Sequence, residues 1–310
     1  MNTSTSSHAP GVSDPGDDVS GTRPFYWSVR RELWENRSIY MAPLAAAGVV
    51  LFGFGLTSLK LPRLRMNALA LESTRQRAAI EMPYDMAAVI IMFTIFIVGI
   101  FYCLDALHGE RRDRSVLFWK SLPVSDRTTV LSKVFVPLVI LPALTFVITI
   151  VTQFIMLLMS TVALLPSGLA GTTWHLLPWP RLSMILLYGL VTSALWEAPL
   201  YGWLLLVSSW AKRATFLWAV LPWLAISAIE KLAFDTGYFA QMLVRRLTGG
   251  FDVGFVVASH PKGAHVPVVE RLAQFDPLKF LLSPGLWIGL IIAAAFLIGA
   301  IRLRRSRGPL

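Results

Sequence analysis

Six apolar runs, each close to the length of a bilayer crossing, limit this chain more than any other feature. They cover about Tyr40–Leu59, Met86–Leu107, Val134–Leu165, Leu182–Trp210, Ala214–Phe234 and Pro284–Ile301. A helix needs roughly 20 apolar residues to cross the hydrocarbon core. Lipid offers no partner to backbone N–H and C=O groups, so runs of this kind cross as α-helices. The expected fold class is an all-α integral membrane protein with six transmembrane helices. Composition agrees. The chain is 55% hydrophobic and 15% charged, with mean hydropathy +0.62. A soluble domain carries about 25% charged residues. The formal net charge is +10 and collects at the ends of the apolar runs. Cytoplasmic loops and anionic headgroups account for it, and nucleic acid is not expected as a partner.

The segments between the runs differ in character. Residues 1–22 are Ser, Thr, Gly, Pro and Asp with few apolar residues, and read as a disordered cytoplasmic tail. They lack the basic region and apolar core of a signal peptide. The transmembrane domain takes residues 23–310. In it, Phe25–Asn36 alternates Phe25, Trp27, Val29, Leu33 and Trp34 with Arg30, Arg31, Glu32 and Glu35. That suits an amphipathic helix in the membrane interface, with Trp at headgroup depth and Arg facing water. Lys60–Asp85 reads as a mixed loop holding a short interfacial helix. The third run exceeds one crossing, so it tilts, extends beyond the bilayer or bends at Pro137 and Pro142. Asp235–Ser283 is the longest loop, with a short helix over Tyr238–Leu247.

Short-loop Arg and Lys set the orientation. Arg23, Arg30, Arg31 and Arg37 precede the first run. Arg111, Arg112, Arg114, Lys120, Arg127 and Lys133 lie between the second and third. Lys212 and Arg213 lie between the fourth and fifth, and Arg302, Arg304, Arg305 and Arg307 follow the sixth. All of these share one side of a six-span chain, which places both termini in the cytoplasm. Lys60, Arg63, Arg65, Arg75 and Arg77 fall on the other side, partly balanced by Glu72, Glu81 and Asp85.

Few residues suggest chemistry of their own. No Gly-x-x-x-x-Gly-Lys-Ser/Thr loop occurs, so the chain lacks a Walker site for ATP. His260 and His265 share a loop but match no common zinc spacing, and no metal is expected. Cys103 lies inside an apolar run and reads as packing. Asp105 and His108 are three apart and can pair across one helical turn. Glu197, in ALWEAPLYGW, is the one acid near the middle of a run. An ionisable group at that depth costs several kcal/mol unless paired or wetted, roughly. Two readings stand for it. In one, Glu197 faces an inner cavity or a partner protomer and meets a polar or cationic substrate. In the other, it is protonated, bonded to backbone or to Gln153, and stabilises a kink at Pro199 or a subunit seam. Gln153, the other polar intramembrane residue, reads as packing glue.

Glu110–Lys133, ERRDRSVLFWKSLPVSDRTTVLSK, joins the second and third runs. Val116, Leu117 and Trp119 sit among Arg112, Arg114 and Lys120, as in a short amphipathic surface helix. Pro123 turns Leu122 away from helical angles, and Ser125 or Asp126 caps the helix that follows. A basic, capped hairpin of this kind suits docking of a soluble partner.

Together these features resemble the permease subunits of type-2 ABC transporters, the exporter-like family. The residues that carry the resemblance are Glu110-Arg111, Leu122-Pro123-Val124-Ser125, Arg127, Lys133 and Trp210-Ala211-Lys212-Arg213. They stand in a six-span layout with an amphipathic helix ahead of the first span. The resemblance implies a multi-pass protein of the cytoplasmic membrane without its own ATPase site or cofactor. ATP and magnesium would sit on separate nucleotide-binding ATPase subunits. Glu110–Ser121 would be the coupling helix, with Glu110, Arg111, Arg114, Val116, Leu117, Trp119, Leu122 and Pro123 meeting the ATPase. Phe25–Asn36 would be the connecting helix, through Trp27, Arg30, Arg31, Leu33 and Trp34. A second permease copy, identical or related, would complete the path, with substrate passing near spans one, two and five. Glu197 and Gln153 are the candidates for the substrate path or seam. The last outer loop is longer than in a minimal member of the family, and Glu197 belongs to no signature of it.

Three rival classes make different demands. A secondary transporter or channel calls for inverted repeats and several intramembrane charges; the chain has no repeat and one mid-membrane charge. An intramembrane enzyme needs a second catalytic group at the depth of Glu197, and His108 lies near the surface. A non-transporting membrane adaptor for an ATPase fits the same hairpin.

Overall fold

The computed structural model describes residues 22–113, 125–254 and 277–306. Among them every regular element is a helix. Helix α1 (Thr22–Glu35) leads into α2 (Ser38–Ser58), short α3 (Leu61–Leu69) and long α4 (Ser73–Ala106). The single-turn α5 (His108–Arg112) follows. Next, α6 (Asp126–Phe135), a π-helical turn (Val136–Ile140) and α7 (Leu141–Leu164) succeed one another without a break. The remainder is α8 (Thr172–Leu176), α9 (Trp179–Trp210), α10 (Thr215–Phe234), α11 (Tyr238–Gly254), α12 (Pro277–Leu281) and α13 (Pro284–Ser306). Six segments are long and apolar enough to cross a membrane: Ser38–Ser58, Arg75–Arg112, Asp126–Ser167, Trp179–Trp210, Thr215–Phe234 and Pro284–Ser306. The chain is a multi-pass membrane protein.

The helices outrun the apolar runs that announce them. Lys60–Asp85 is mostly helical rather than a loop, because α3 forms within it and α4 begins at Ser73. The charged residues Arg75, Arg77 and Glu81 extend α4 past the apolar stretch without breaking it, since all three are competent helix formers. The third span changes its hydrogen-bonding pattern where proline requires. Pro137 has no N–H to give the carbonyl of Lys133, and the turn widens to π geometry over Val136–Ile140. Ser125 is the N-cap of α6: its hydroxyl accepts from the Thr128 N–H at 3.1 Å.

Helix α9 is the centre of the bundle and α10 its periphery. Of their apolar windows, 67% is buried in α9 and 6% in α10. Helix α9 packs along α13, and against α4, α7 and α11. Gly202 permits the closest approach: a Cβ there would lie 3.2 Å from the Ala293 carbonyl oxygen on α13. The main core joins Ile95, Tyr102 and Cys103 of α4, Leu141 and Ile148 of α7, and Tyr201, Leu204 and Leu205 of α9. Cys103 is fully buried there as packing.

The long segment after α10 folds back on the bundle. Glu230, near the end of α10, accepts from the Tyr238 and Phe239 N–H groups at 2.8 and 2.9 Å and so caps α11. Phe239 stacks on Trp223 at 5.6 Å between centroids. Further along α11, the Arg245 carbonyl accepts from Trp196 Nε1 at 3.3 Å, and Arg246 lies 4.3 Å over the Trp196 ring. Trp196 is near the middle of α9, so α11 reaches well down the bundle. The helix expected over Tyr238–Leu247 is present and longer.

Candidate functional site

A buried ionic network ties the bundle together at the end that carries α1 and the last turns of α13. It starts from Glu32. On α1, Glu32 falls in register with Val29 and Leu33, three and one residues away, and so lies on the face turned to the bundle. Glu32 is 1% exposed and Lys133, on α6, is 2% exposed. Glu32 Oε1 accepts from Lys133 Nζ and from Arg31 Nη2, both at 2.8 Å. Its Oε2 accepts from the Tyr102 hydroxyl of α4 at 3.0 Å. Glu110 of α5 faces the same two cations: its Oε1 is 3.0 Å from Arg31 Nη2 and 3.1 Å from Lys133 Nζ. Its Oε2 meets Arg304 Nη2 of α13 at 3.2 Å, and Arg304 Nη1 goes on to Asp126 Oδ1 at 3.1 Å.

Three carboxylates and three cations therefore alternate through the network. That balance is what makes their burial tolerable. An unpaired buried ion costs several kcal/mol, roughly, whereas a fully bonded group recovers most of it. Burial alone would raise the Glu32 carboxyl pKa; Lys133 and Arg31 outweigh it and hold that pKa below the ordinary carboxylate value. Arg31 shows the mirror effect: burial lowers its pKa, Glu32, Glu110 and Glu35 raise it, and the net shift is upward.

A second set of bonds fastens α5 to the C-terminal turn of α9. Ser208 Oγ accepts from the N–H groups of Leu107 and His108 at 3.0 and 2.9 Å. Arg111 Nη1 donates to the Ser209 carbonyl at 2.9 Å, and His108 Nδ1 lies 3.1 Å from the Ala211 carbonyl. The last carbonyls of a helix lack intrahelical partners and carry partial negative charge, so a cationic side chain is well placed there. His108 thus serves α9 and does not pair with Asp105, which is exposed and lies 3.8 Å from Arg112.

The expected site residues separate into three groups. Glu110 and Arg111 are buried, Glu110 against Arg31, Lys133 and Arg304 and Arg111 against the Ser209 carbonyl. Arg114, Val116, Leu117, Trp119, Leu122 and Pro123 lie outside the described residues. On α1, Arg31 enters the network and Leu33 packs on the main core, while Trp27 and Trp34 are exposed with Arg30 between them. Glu32, Lys133, Asp126, Arg304 and Tyr102 join a site that sequence reasoning assigned to none of them. One signal was there to find: Glu32 on the apolar face of an amphipathic helix, and Lys133 between Ser132 and Val134 at the start of an apolar run.

Glu197 is set apart from all of this, near the middle of α9. It is half-buried, and its Oε2 accepts from the Tyr201 hydroxyl one turn on, at 2.9 Å. Neither Gln153 nor backbone is its partner among the described residues. Gln153 instead donates to the Tyr84 carbonyl of α4 at 3.1 Å, holding α7 to α4. Among the described residues no group of three potential metal ligands comes together.

No protein-family model, no curated protein and no solved structure matches the chain.

Proposed function

We propose that this chain is the membrane-spanning permease subunit of an ATP-driven transporter of the type-2 ABC class, worked by a separate nucleotide-binding ATPase. On this reading it lies in the cytoplasmic membrane with the basic end and both termini inside. A second permease copy lines the path with it. The ATPase docks on the hairpin through Arg114, Val116, Leu117, Trp119, Leu122 and Pro123. The chain has no Walker loop of its own, so ATP and magnesium belong to that partner.

The observation that carries the reading is the placement of the ionic network on both flanks of residues 114–124. Glu110 stands before that segment; Asp126 and Lys133 stand after it. Through them the segment is joined to α1, α4, α6 and α13, and through Ser208 and Arg111 to α9. A push on the hairpin is therefore shared by most of the spans at once. Buried side chains pack with little compressibility, so such a push moves the connected helices as a unit. Movement of one permease against another then opens the path between them.

A second reading, a proton-linked secondary transporter or channel, rests on Glu197 alone, a half-buried carboxylate at mid-depth with Tyr201 as partner. A third, a non-transporting adaptor for an ATPase, uses the same hairpin. Gentle extraction and pull-down of the full chain, with mass spectrometry of what accompanies it, separates the first reading from the second. The wild type is expected to bring a nucleotide-binding ATPase, and Trp119→Ala to lose it. Absence of any such ATPase from the wild-type preparation contradicts the reading. Vesicle transport assays on the recovered complex then separate transporter from adaptor.

A further inference from the structure

Helix α1 has a second face that the ionic network does not use. At 100° per residue, Trp27, Arg30 and Trp34 lie about 140–160° around the helix from Glu32. They point away from the bundle, and Trp27 and Trp34 are 57% and 67% exposed. The Arg30 guanidinium lies between the two indoles, 5.1 Å from the Trp27 ring centroid and 4.7 Å from that of Trp34. Among the described residues Arg30 has no carboxylate partner. Its neighbour Arg31 has three, Glu32, Glu35 and Glu110. The two arginines are adjacent in sequence and opposite in use.

We propose that the Trp27–Arg30–Trp34 stripe binds the phosphate of an anionic phospholipid headgroup. Its Cζ stands over both indole rings, and among the described residues no carboxylate meets its N–H edge. That edge matches two phosphate oxygens at once. Depth agrees with the assignment: the first span begins at Ser38, four residues beyond Trp34. Tryptophan settles at headgroup level. Arg37, exposed and next to the start of that span, adds a second positive charge, which favours a net-anionic lipid over a zwitterionic one. An acidic protein surface is the competing occupant. The stripe's closeness to the bilayer boundary favours lipid. The proposal rests on the chain's membrane character and not on the transport reading, and no ATPase enters its test.

The test is native mass spectrometry of the full chain released from mixed micelles of phosphatidylglycerol and phosphatidylcholine. Four forms are compared: wild type, Arg30→Gln, Arg30→Lys, and Arg63→Gln, which removes an exposed charge from α3. The wild type is expected to retain phosphatidylglycerol over phosphatidylcholine. Arg30→Gln is expected to lower that preference about fivefold, the share one surface arginine contributes toward an anionic lipid. Arg63→Gln should leave it unchanged, and Arg30→Lys should fall with Arg30→Gln because lysine has no planar fork. A preference that survives Arg30→Gln, or that Arg63→Gln lowers equally, overturns the proposal. So does full retention by Arg30→Lys, which would reduce the site to charge alone. A bound soluble protein that Arg30→Gln releases while lipid retention stays unchanged assigns the stripe to a protein partner instead. Melting temperatures in phosphatidylcholine alone, equal across the four forms, establish that all are folded.

Discussion

Among the described residues, two of the places where charge is taken out of solvent are built on opposite plans. At the end that carries α1, three carboxylates and three cations from α1, α5, α6 and α13 share bonds, and Tyr102 of α4 completes Glu32. Halfway along α9, Glu197 has one partner among the described residues, a hydroxyl from its own helix. The first arrangement spans much of the chain in sequence and holds separate helices in one geometry. The second holds nothing across helices. A network in which every charge meets an opposite one resists change. A carboxylate with a single neutral partner at half burial has bonding capacity left for something that arrives.

The comparison fails first if the network is not a unit. Lys133→Met leaves Glu32 and Glu110 buried without one of the two cations they share and is expected to cost about 3–5 kcal/mol. The readout is a fall in melting temperature in nanodiscs, large beside any other single change here. Replacing Glu32 by Gln in the same chain should recover part of that loss, because the remaining carboxylate then has Arg31 and Arg304. Independent losses that simply add would dissolve the unit.

Acid should dismantle the same end next. The Glu32 pKa is held below the ordinary carboxylate value, so its contribution to stability is present above that value. It disappears as pH falls through the lowered pKa. The part of the melting temperature that Glu32 supplies, read as the difference between wild type and Glu32→Gln, should therefore be level from pH 7 to the upper edge of the carboxylate range and drop below it. A drop already under way near neutrality would mean that Glu32 is not paired as described.

Smaller effects sharpen the boundary between the two regions. Ser208→Ala strips the acceptor from two backbone N–H groups and should cost about 1–3 kcal/mol, loosening α5 from α9. Glu197→Gln keeps an acceptor for the Tyr201 hydroxyl and should change stability by less than about 1 kcal/mol. If Glu197→Gln melts as far below wild type as Lys133→Met, the proposed difference between the regions is wrong.

How much of this could be read in advance follows the range of the forces. Apolar runs announced six spans because the cost of exposing a backbone to lipid depends on local composition alone. The cap at Ser125 and a disturbance of the helix near Pro137 were legible for the same reason: each involves neighbours within a turn. Helix ends were not, because a helix need not stop where the bilayer does. Ser73–Asp85 and Arg302–Ser306 continue α4 and α13 in charged residues that look like loop. The ionic network was the least legible part. Its bonds join residues 79, 101 and 194 positions apart, and no pattern along the chain pairs Glu110 with Lys133 or Arg304 before the helices are assembled. Glu110 reads as surface because its sequence neighbours are charged; it is buried because partners of opposite sign wait on three other helices.

The central claim is that the helices around residues 114–124 move as one body. Spin labels at Tyr26 on α1 and Arg302 on α13, both exposed and both outside the ionic network, report it by electron–electron double resonance. The measurement is made on the chain together with the ATPase proposed to accompany it, with and without ATP. The account predicts a single narrow distance, unchanged by ATP, in a complex that is turning over. A distance that splits, broadens or shifts when ATP is added would show that the network opens during the cycle, and would contradict its role as a rigid link.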